Sequence, residues 1–356
     1  MANTNIPDMT LPSGGIPVKS LYLLTDKGWK NPTENLEGLK ICSLNVEDET
    51  IAFQPFTVNI SDYDGELINF SNKFINEAVS PSQEYPLYGK LGNYKGNFSA
   101  KQIMTCDIEG QMHSYIPKQG KWIGQKHDPV TLKGISEKDI TFDYPTFLRL
   151  LAFYLINGTS NRDEIRMVYR KNEICDEIET IMLDNHINFS IREGKRNFNI
   201  YTITSPLISR YLKKITGDGF KRIPEELLQG TPDEISIFIQ WYSLASSEKI
   251  RHKNSELYSP NKQQALRLNE LQFKAGLSGT FRECEYYDEN DTSGNECNVA
   301  YLTGRIIQKG IPSDCKSLES SKIYYKGKIA SIYTEPNIWY AMINGHTHWM
   351  GGIKTN

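Results

Sequence analysis

The sequence predicts an α+β protein in which an all-β domain is split by an inserted domain of helices and hairpins. Three observations lead to this prediction. Short β-like runs separated by turns extend from Val18 to about Tyr94. Two apolar helices, at residues 147–160 and 237–247, then each open a similar longer unit. Short β-like runs return at residues 320–352.

The domain boundaries follow from these changes of pattern. We expect residues 1–140 to form the first part of the β domain and residues 306–356 its second part. Residues 141–305 are predicted to hold an internal duplication, in which each copy contains a helix, a second helix and a hairpin.

The first copy is predicted in detail by its periodicity and caps. Apolar residues of FLRLLAFYLINGTS recur at helical spacing, and Gly158 ends the run. EICDEIETIMLDNHI is a second amphipathic helix, and NFSIREGKRNFNIYTI is a hairpin around EGKR. SPLISRYLKKIT is a third helix, with Ser205 as its N-cap and Pro206 at its first position.

The second copy repeats this order. IFIQWYSLASS is a helix, and SPNKQQALRLNELQFKAGL is another, with Ser259 as the predicted cap. A hairpin with a longer acidic tip follows at residues 279–305. Cys284 and Cys297 flank that tip and could approach each other across the hairpin.

Composition excludes several classes of protein. The 356 residues are 38% apolar and 23% charged, as in a globular domain. The net charge of −3 excludes a basic field over the whole protein, so nucleic-acid contact would need a local patch. No signal peptide or membrane-spanning run is present, so we expect no membrane partner. The six Cys form no CxxC pair, which argues against a zinc site.

The order of segments resembles an intein, that is, a Hint (hedgehog/intein) domain carrying a LAGLIDADG homing endonuclease. FLRLLAFYLINGTS and IFIQWYSLASS resemble the two LAGLIDADG helices, and KRIPEELLQGTPDE resembles the link before the second. PVKSLYLLTDKGWKNPTENLEGLKICSLN, AVSPSQEYPLYGK and IYYKGKIASIYTEPNIWYAMINGHTHWMGG resemble the opening, middle and final Hint segments. KQGKWIG is typical of phage-borne members. The resemblance implies a split Hint-like domain with an inserted pseudo-twofold αββαββα duplication.

The residues that the resemblance assigns to splicing are replaced. An N-terminal Cys or Ser is implied near Gly15, and the implied middle His reads as Gln83. The implied C-terminal Asn reads as Gly352, and Met1 lies close to the first strand, so we expect no extein before it. An amide cannot shuttle protons near neutral pH, so we predict that the chain does not splice.

The acids that the resemblance assigns to DNA cleavage are also replaced. A LAGLIDADG nuclease needs a carboxylate at the foot of each paired helix to hold a divalent metal. Those positions are Asn157 and Ser246, while Asp163, Glu164 and Glu248 fall beyond the helix ends. We therefore predict a protein without enzymatic activity, metal site or cofactor; Mg²⁺ is expected only if a nuclease activity survives.

A basic group remains as a candidate nucleic-acid-binding surface. Arg192, Lys195 and Arg196 lie in the first hairpin, with Lys221 and Arg222 nearby. The acidic tip of the second hairpin, residues 288–296, should repel phosphate. Two further motifs are predicted to be structural: His346 and His348 on one face of a strand, and DYDGE at residues 62–66 as a hairpin turn.

The sequence is consistent with three functions. The sequence favours a catalytically inactive Hint–LAGLIDADG protein with a structural or interaction role in a phage particle or assembly. Its partners would then be other phage proteins, and its location the host cytoplasm or the virion. The first alternative is a DNA- or RNA-binding regulator that uses the LAGLIDADG saddle on double-stranded DNA. The second is an active homing endonuclease with displaced metal-binding acids.

Overall fold

The chain forms two compact units, one built of strands and one that contains both α-helices and strands. The computed structural model describes residues 14–45, 47–72, 75–87, 101–104, 108, 114–134, 138–161, 163–170, 173–194, 197–217, 221–247, 256–277, 279–287, 297–305, 313–335 and 337–351. Residues 1–120 with 311–356 form the first unit, and residues 121–310 form the second. The second unit is thus inserted into the sequence of the first.

The segment 121–140, which the sequence places in the β domain, belongs to the second unit. The Trp122 indole donates a hydrogen bond to the Gly230 carbonyl at 2.9 Å. The His127 amide donates to the Glu234 carboxylate at 2.9 Å. These long-range bonds attach the segment to the inserted unit, a feature that local sequence patterns do not report.

The first unit is built on one nine-stranded sheet. The strands of the unit are β1 (Ile16–Pro17), β2 (Leu21–Thr25), β3 (Gly28–Lys30), β4 (Lys40–Leu44), β5 (Ile51–Ser71), β6 (Asn76–Val79), β7 (Glu84–Leu87), β8 (Lys101–Met104), β9 (Tyr115–Ile116), β19 (Ser313–Asp314), β20 (Glu319–Thr334), β21 (Ile338–Ile343) and β22 (His346–Gly351). The main order of the sheet is β1-β20-β5-β4-β2-β21-β22, with β3 on β2 and β6 on β5. Strands β7 and β8 form a separate pair, as do β9 and β19.

The prediction that DYDGE forms a hairpin turn is wrong. Strand β5 runs without interruption through this segment and pairs antiparallel with β20, which places Asp64 opposite Lys326 and Glu66 opposite Tyr324, with Lys322 one diagonal step away. Cross-strand ion pairs join Lys326 to Asp64 at 2.8 Å and Lys322 to Glu66 at 3.0 Å. Asp and Gly are unfavourable in strands, but here the partner strand β20 stabilises them. Because β20 lies far along the chain, the local sequence does not predict this strand.

The inserted unit contains the five α-helices of the described residues. Its elements are β10 (Val130–Leu132), β11 (Ile140–Phe142), α1 (Tyr144–Asn157), β12 (Gly158–Ser160), β13 (Glu164–Arg170), α2 (Glu173–Asp184), β14 (Phe189–Glu193), β15 (Phe198–Thr204), α3 (Pro206–Thr216), α4 (Pro232–Ser247), β16 (Glu256–Ser259), α5 (Lys262–Lys274), β17 (Arg282–Tyr287) and β18 (Cys297–Arg305). One sheet has the order β12-β13-β15-β14 and another has the order β16-β18-β17.

Helices α1 and α4 pack against each other in the centre of this unit. Both are apolar on several sides, and most of α1 is buried. Asp143 caps α1 by accepting a hydrogen bond from the Thr146 amide at 2.9 Å. Gly158 follows the last residue of α1, as the sequence predicts.

The N-cap residues predicted for α3 and α5 can be compared with the structure. Ser205 caps α3 and Pro206 is its first residue, which confirms the prediction. The predicted cap of α5 is wrong, because Asn261 and not Ser259 accepts the hydrogen bond from the helix, from the Gln264 amide at 3.0 Å. The Ser259 hydroxyl instead accepts from the Asn261 amide at 3.1 Å and shapes the approach to the helix. None of the helices in the described part of the chain has both the length and the apolar composition that a transmembrane helix requires.

Candidate nucleic-acid interface

The four-stranded sheet of the inserted unit has one buried face and one exposed face. Along β13, Ile165, Met167 and Tyr169 are buried in the core of the unit, while Arg166 and Arg170 are exposed. Strand β15 alternates in the same way, with Tyr201 and Ile203 buried. The period of two follows from strand geometry and sends the intervening side chains to the opposite face.

We call this opposite face the arginine face. It consists of Thr159, Glu164, Arg166, Val168, Arg170, Ser190, Arg192, Phe198, Ile200, Thr202 and Thr204, as the register of the sheet defines. Glu164 is the first residue of β13 and lies opposite Thr204. It is the one acidic residue among the described residues of this face. The face therefore combines three guanidinium groups with four hydroxyl groups.

The arginines are spread over the face. Arg166 lies opposite Thr159 on one side and Thr202 on the other, while Arg192 lies opposite Ile200. With a rise of about 3.3 Å per residue and about 4.8 Å between strands, the three arginine Cα atoms are roughly 12–13 Å apart. That separation is comparable to the width of the DNA major groove, about 12 Å.

Arg170 is held by an aromatic ring. Its guanidinium carbon lies 5.3 Å from the centre of the Phe198 ring, which is opposite it in the register. A guanidinium at this distance is attracted by the ring quadrupole, and the Arg170 side chain is exposed at the surface of the sheet. The contact restricts the side chain before any ligand binds.

The residues predicted for nucleic-acid contact fall in different places. Arg192 lies on the arginine face, whereas Lys195 and Arg196 lie outside the described residues. Arg166 and Arg170 are not among the predicted contacts, because EIRMVYR is not among the predicted strands. Its alternation of apolar Ile165, Met167 and Tyr169 with polar neighbours is the signal that identifies it.

Lys221, which the sequence assigns to nucleic-acid contact, lies at the C-terminal end of α1. Its amine donates to the carbonyl of Tyr154 at 2.5 Å and to that of Gly158 at 2.6 Å. It also lies 4.8 Å from the centre of the Tyr154 ring. A cation is favourable at a helix C-terminus, so this lysine stabilises the end of α1. Arg222 is exposed, and its backbone amide donates to the Thr216 carbonyl at 2.8 Å.

The ends of the two central helices carry neutral side chains. Asn157 is the last residue of α1 and is half-buried. Ser246 lies in the last turn of α4, is buried, and donates to the Ser243 carbonyl at 3.0 Å. An amide and a hydroxyl lack the negative charge with which carboxylates bind a hard divalent cation. These two positions therefore do not fit a magnesium site.

Acidic residues do not gather elsewhere in the described part of the chain. Asp163 and Glu164 are exposed at the start of β13, and Glu248 lies outside the described residues. Among the residues that the structure describes, no three His, Cys, Asp or Glu side chains are close enough together to hold a metal ion.

The second sheet differs from the first. Tyr258, Ala300 and Leu302 form a small buried cluster, with Cys284 packed against it. Cys284 is opposite Ala300, whereas Cys297 is opposite Tyr287, so the two cysteines are not a cross-strand pair. The acidic tip at residues 288–296 lies outside the described residues.

In the first unit, Gln83 lines a small cavity together with chain neighbours of two other positions that the sequence assigns to splicing. Gly14, Gln83 and Gly351 all line it, whereas Gly352 lies outside the described residues. The Gly15 amide donates to the Ser80 hydroxyl at 2.8 Å, which holds the start of β1 beside the loop that carries Gln83. The Gln83 amide group is itself a donor to the Glu84 carbonyl at 3.0 Å. The cavity thus has a neutral, hydrogen-bonded amide where the resemblance implies a histidine.

Comparisons with known proteins give structural matches only. No protein-family model matches the chain. No curated protein matches it either. Among solved structures, the chain is similar to I-DmoI in complex with DNA and Mn, at 14% identity and a TM-score of 0.30, over 45% of this chain and 89% of that one. It is also similar to mesophilic variants of the homing endonuclease I-DmoI, at 13% identity and a TM-score of 0.31, over 45% of this chain and 88% of that one. A further match is I-DmoI with DNA and Ca, at 13% identity and a TM-score of 0.31, over 45% and 82% of the two chains.

Proposed function

We propose that the chain binds double-stranded DNA through the arginine face and does not cleave it. The observation that carries the proposal is the placement of Arg166, Arg170 and Arg192 on one exposed sheet face, with one acid at its edge. Guanidinium groups bind phosphate and the edge of guanine, and hydroxyl groups bind either phosphates or base edges.

Duplex fits this face better than a single strand. Proteins that bind single strands without sequence preference stack successive bases on exposed aromatic rings. Phe198 is the one aromatic residue of the described arginine face, and its ring already lies beside Arg170. The spacing of the arginines, about 12–13 Å from strand geometry, instead spans a groove.

The absence of cleavage is proposed from the helix ends. Asn157 and Ser246 are neutral, and Ser246 is buried and already hydrogen-bonded within its own helix. Metal-assisted hydrolysis requires a cation held beside the phosphate, which neutral ligands alone bind weakly. The alternative of an active endonuclease with displaced acids would have to use residues such as Asp163 or Glu164.

A gel-shift titration over a range of salt concentrations tests the DNA-binding proposal. Each phosphate contact to a duplex contributes about 0.9 to the slope of log K against log salt. If all three arginines contact phosphates, Arg166→Ala, Arg170→Ala and Arg192→Ala combined should lower that slope by up to about 3. Arg210→Ala is the matched control, because Arg210 is an exposed arginine on α3 and not on the arginine face.

The outcomes separate the proposals. Loss of binding in the triple variant, with the Arg210→Ala variant unchanged, supports the arginine face. Equal binding by all variants, or no binding of the unaltered protein at low salt, contradicts it. Incubation of plasmid with Mg²⁺ tests cleavage, and nicking that disappears in Asp163→Ala would show that the chain is a nuclease with displaced acids.

A structural or interaction role in a phage particle is the second proposal. The observation in its favour is the exposure of large side chains on β20, where Tyr324 is 71% exposed and Ile323 is 39% exposed. The two residues are consecutive in β20, so their side chains lie on opposite faces of the strand and each face offers one exposed side chain to a partner. Detection of the protein in purified virions by mass spectrometry would support this role, and its absence from them would contradict it.

A further inference from the structure

A cavity of about 260 Å³ lies in the inserted unit, apart from the arginine face. Its walls come from α1, α3, the segment before β10 and the segment before α4. The residues that determine its chemistry are His127, Asp128, Tyr144, Phe147, Tyr211 and Glu226. No role in nucleic-acid binding or in either predicted catalytic chemistry falls on these side chains.

One wall is a continuous row of aromatic rings. The His127 ring stacks on Tyr144 with 4.4 Å between ring centres. Tyr144 is followed by Phe147 at 6.0 Å, and Phe147 by Tyr211 at 5.7 Å. Rows of this kind attract cations, because the faces of aromatic rings carry partial negative charge.

Two carboxylates line the cavity without a described lysine or arginine beside them, and the Nδ1 atom of the lining His127 lies 3.1 Å from a carboxylate oxygen of Glu234. Asp128 and Glu226 line the cavity and are exposed, and no lysine or arginine is among its described lining residues. Burial raises the pKa of Tyr211, and the negative charge of Glu226 raises it further. The carboxylate is therefore close enough for its field to reach the phenol. Phosphates and carboxylates would be repelled from this cavity.

The two phenol groups also lack partners within the described part of the protein. Neither the Tyr144 hydroxyl nor the Tyr211 hydroxyl has a hydrogen bond to another residue that the structure describes, and a phenol oxygen can accept one. Leu151 and Ile215 add apolar surface to the lining of the cavity. A fitting ligand must carry a positive charge, N–H donors and an aliphatic portion.

We propose that this cavity binds a small organic cation with N–H groups on an alkyl chain, that is, an alkylammonium or an alkylguanidinium. The charge is balanced by Asp128 and Glu226, the cation lies against the aromatic row, and its N–H groups donate to the phenol oxygens. The alkyl chain packs on Leu151 and Ile215. The cation can be a free amine or the side chain of a lysine or arginine in another protein.

Calorimetric titration of the full chain with putrescine tests the proposal, with 1,4-butanediol as a neutral molecule of the same length. Putrescine should bind saturably and the diol should not. Glu226→Gln should weaken putrescine binding by about tenfold, which is within the range of charge-assisted and cation–π contacts. Glu225→Gln is the matched control, because that neighbouring acid pairs with Arg267 and does not line the cavity.

The proposal is overturned if the diol binds as well as putrescine, or if Glu226→Gln and Glu225→Gln have equal effects. Tyr211→Phe, which removes only the hydroxyl, provides a second variant should Glu226→Gln unfold the protein; unchanged putrescine affinity in Tyr211→Phe would contradict the predicted hydrogen bond. Two matched titrations identify the source of the cation: putrescine against Nα-acetyl-lysine-N-methylamide, and agmatine against Nα-acetyl-arginine-N-methylamide. Tighter binding of putrescine and agmatine indicates a free amine or guanidine, and tighter binding of the two amides indicates a protein side chain.

Discussion

The Nε2 atom of His348 lies 2.9 Å from a carboxylate oxygen of Glu77 in the interior of the first unit. Neither side chain is accessible to solvent. The other carboxylate oxygen of Glu77 accepts a hydrogen bond from the Tyr85 hydroxyl at 2.6 Å. The Tyr85 ring is stacked on the His348 ring, with 6.4 Å between the ring centres. A buried ionisable group thus joins β6, β7 and β22.

Glu77→Gln should destabilise the protein by about 3–5 kcal/mol at neutral pH, because removing one partner of a buried pair leaves the other without compensation. The substituted amide would keep an acceptor for Tyr85 but lose the charge beside His348. The free energy of unfolding in urea measures the effect. Glu66→Gln is the control, since Glu66 forms an exposed ion pair with Lys322 and should change stability by less than about 1 kcal/mol.

The same glutamate predicts a loss of stability in acid. Burial acts to raise the pKa of Glu77, but His348 and the hydrogen bond from Tyr85 outweigh it, so the pKa lies below the usual value of 4.5. A carboxyl group with a lowered pKa contributes stability above its unfolded pKa and loses it as pH falls through the folded pKa. Unfolding measured below pH 4.5 should therefore show a steeper loss for the unaltered protein than for Glu77→Gln; equal slopes would contradict this.

Lys118 predicts a second pH window, in alkali, in which stability again rises with pH. Burial lowers its pKa from 10.5 to about 8, although the charge of Glu77 partly opposes the shift. Between pH 8 and 10.5 the folded chain has lost this proton while the unfolded chain keeps it, so stability rises with pH in that window. The full contribution is about 3 kcal/mol. Urea unfolding at several pH values measures it, and Lys118→Met should remove this part of the slope.

Glu234 should hold the start of α4 and the segment 125–127 together. Its carboxylate accepts hydrogen bonds from the Thr231 amide at 3.0 Å and the His127 amide at 2.9 Å, and the Glu234 amide donates to the Thr231 hydroxyl at 3.3 Å. This is a capping box with an additional long-range bond. Glu234→Ala should cost about 1–2 kcal/mol and speed hydrogen exchange at His127. Asp233→Ala, which changes an acid in the same turn, should leave exchange at His127 unchanged.

The five helices could be predicted because each depends on local information. Apolar spacing and the Ser205–Pro206 start of α3 identify helices without reference to distant residues. Ser259 and Asn261 are both good capping residues two positions apart, so sequence alone could not choose between them. Only the hydrogen bond from the Gln264 amide decides for Asn261.

The remaining misses depend on distant partners. The DYDGE segment becomes part of a strand because β20 supplies Lys322 and Lys326 from far along the chain. For His348, the sequence predicted a structural role but could not indicate Glu77 as its neighbour. The arginine face could be predicted only in part. Arg192 lies in a predicted hairpin, whereas Arg166 and Arg170 lie in β13, which the sequence did not predict as a strand.

Lys221 and Arg166 should separate stability from DNA binding. The Lys221 amine donates to two carbonyls at the end of α1, so Lys221→Met should lower the free energy of unfolding by about 1–2 kcal/mol. The DNA affinity of this variant should remain within about twofold of that of the unaltered protein, since a substitution away from the interface changes the binding free energy by less than about 0.5 kcal/mol.

Arg166 is exposed on the arginine face, so Arg166→Ala should show the reverse pattern, with nearly unchanged unfolding and weaker DNA binding. Gel shifts and urea unfolding on the same preparations measure both quantities. A loss of DNA affinity in Lys221→Met without a loss of stability would instead assign Lys221 to the nucleic-acid interface, as the sequence first indicated.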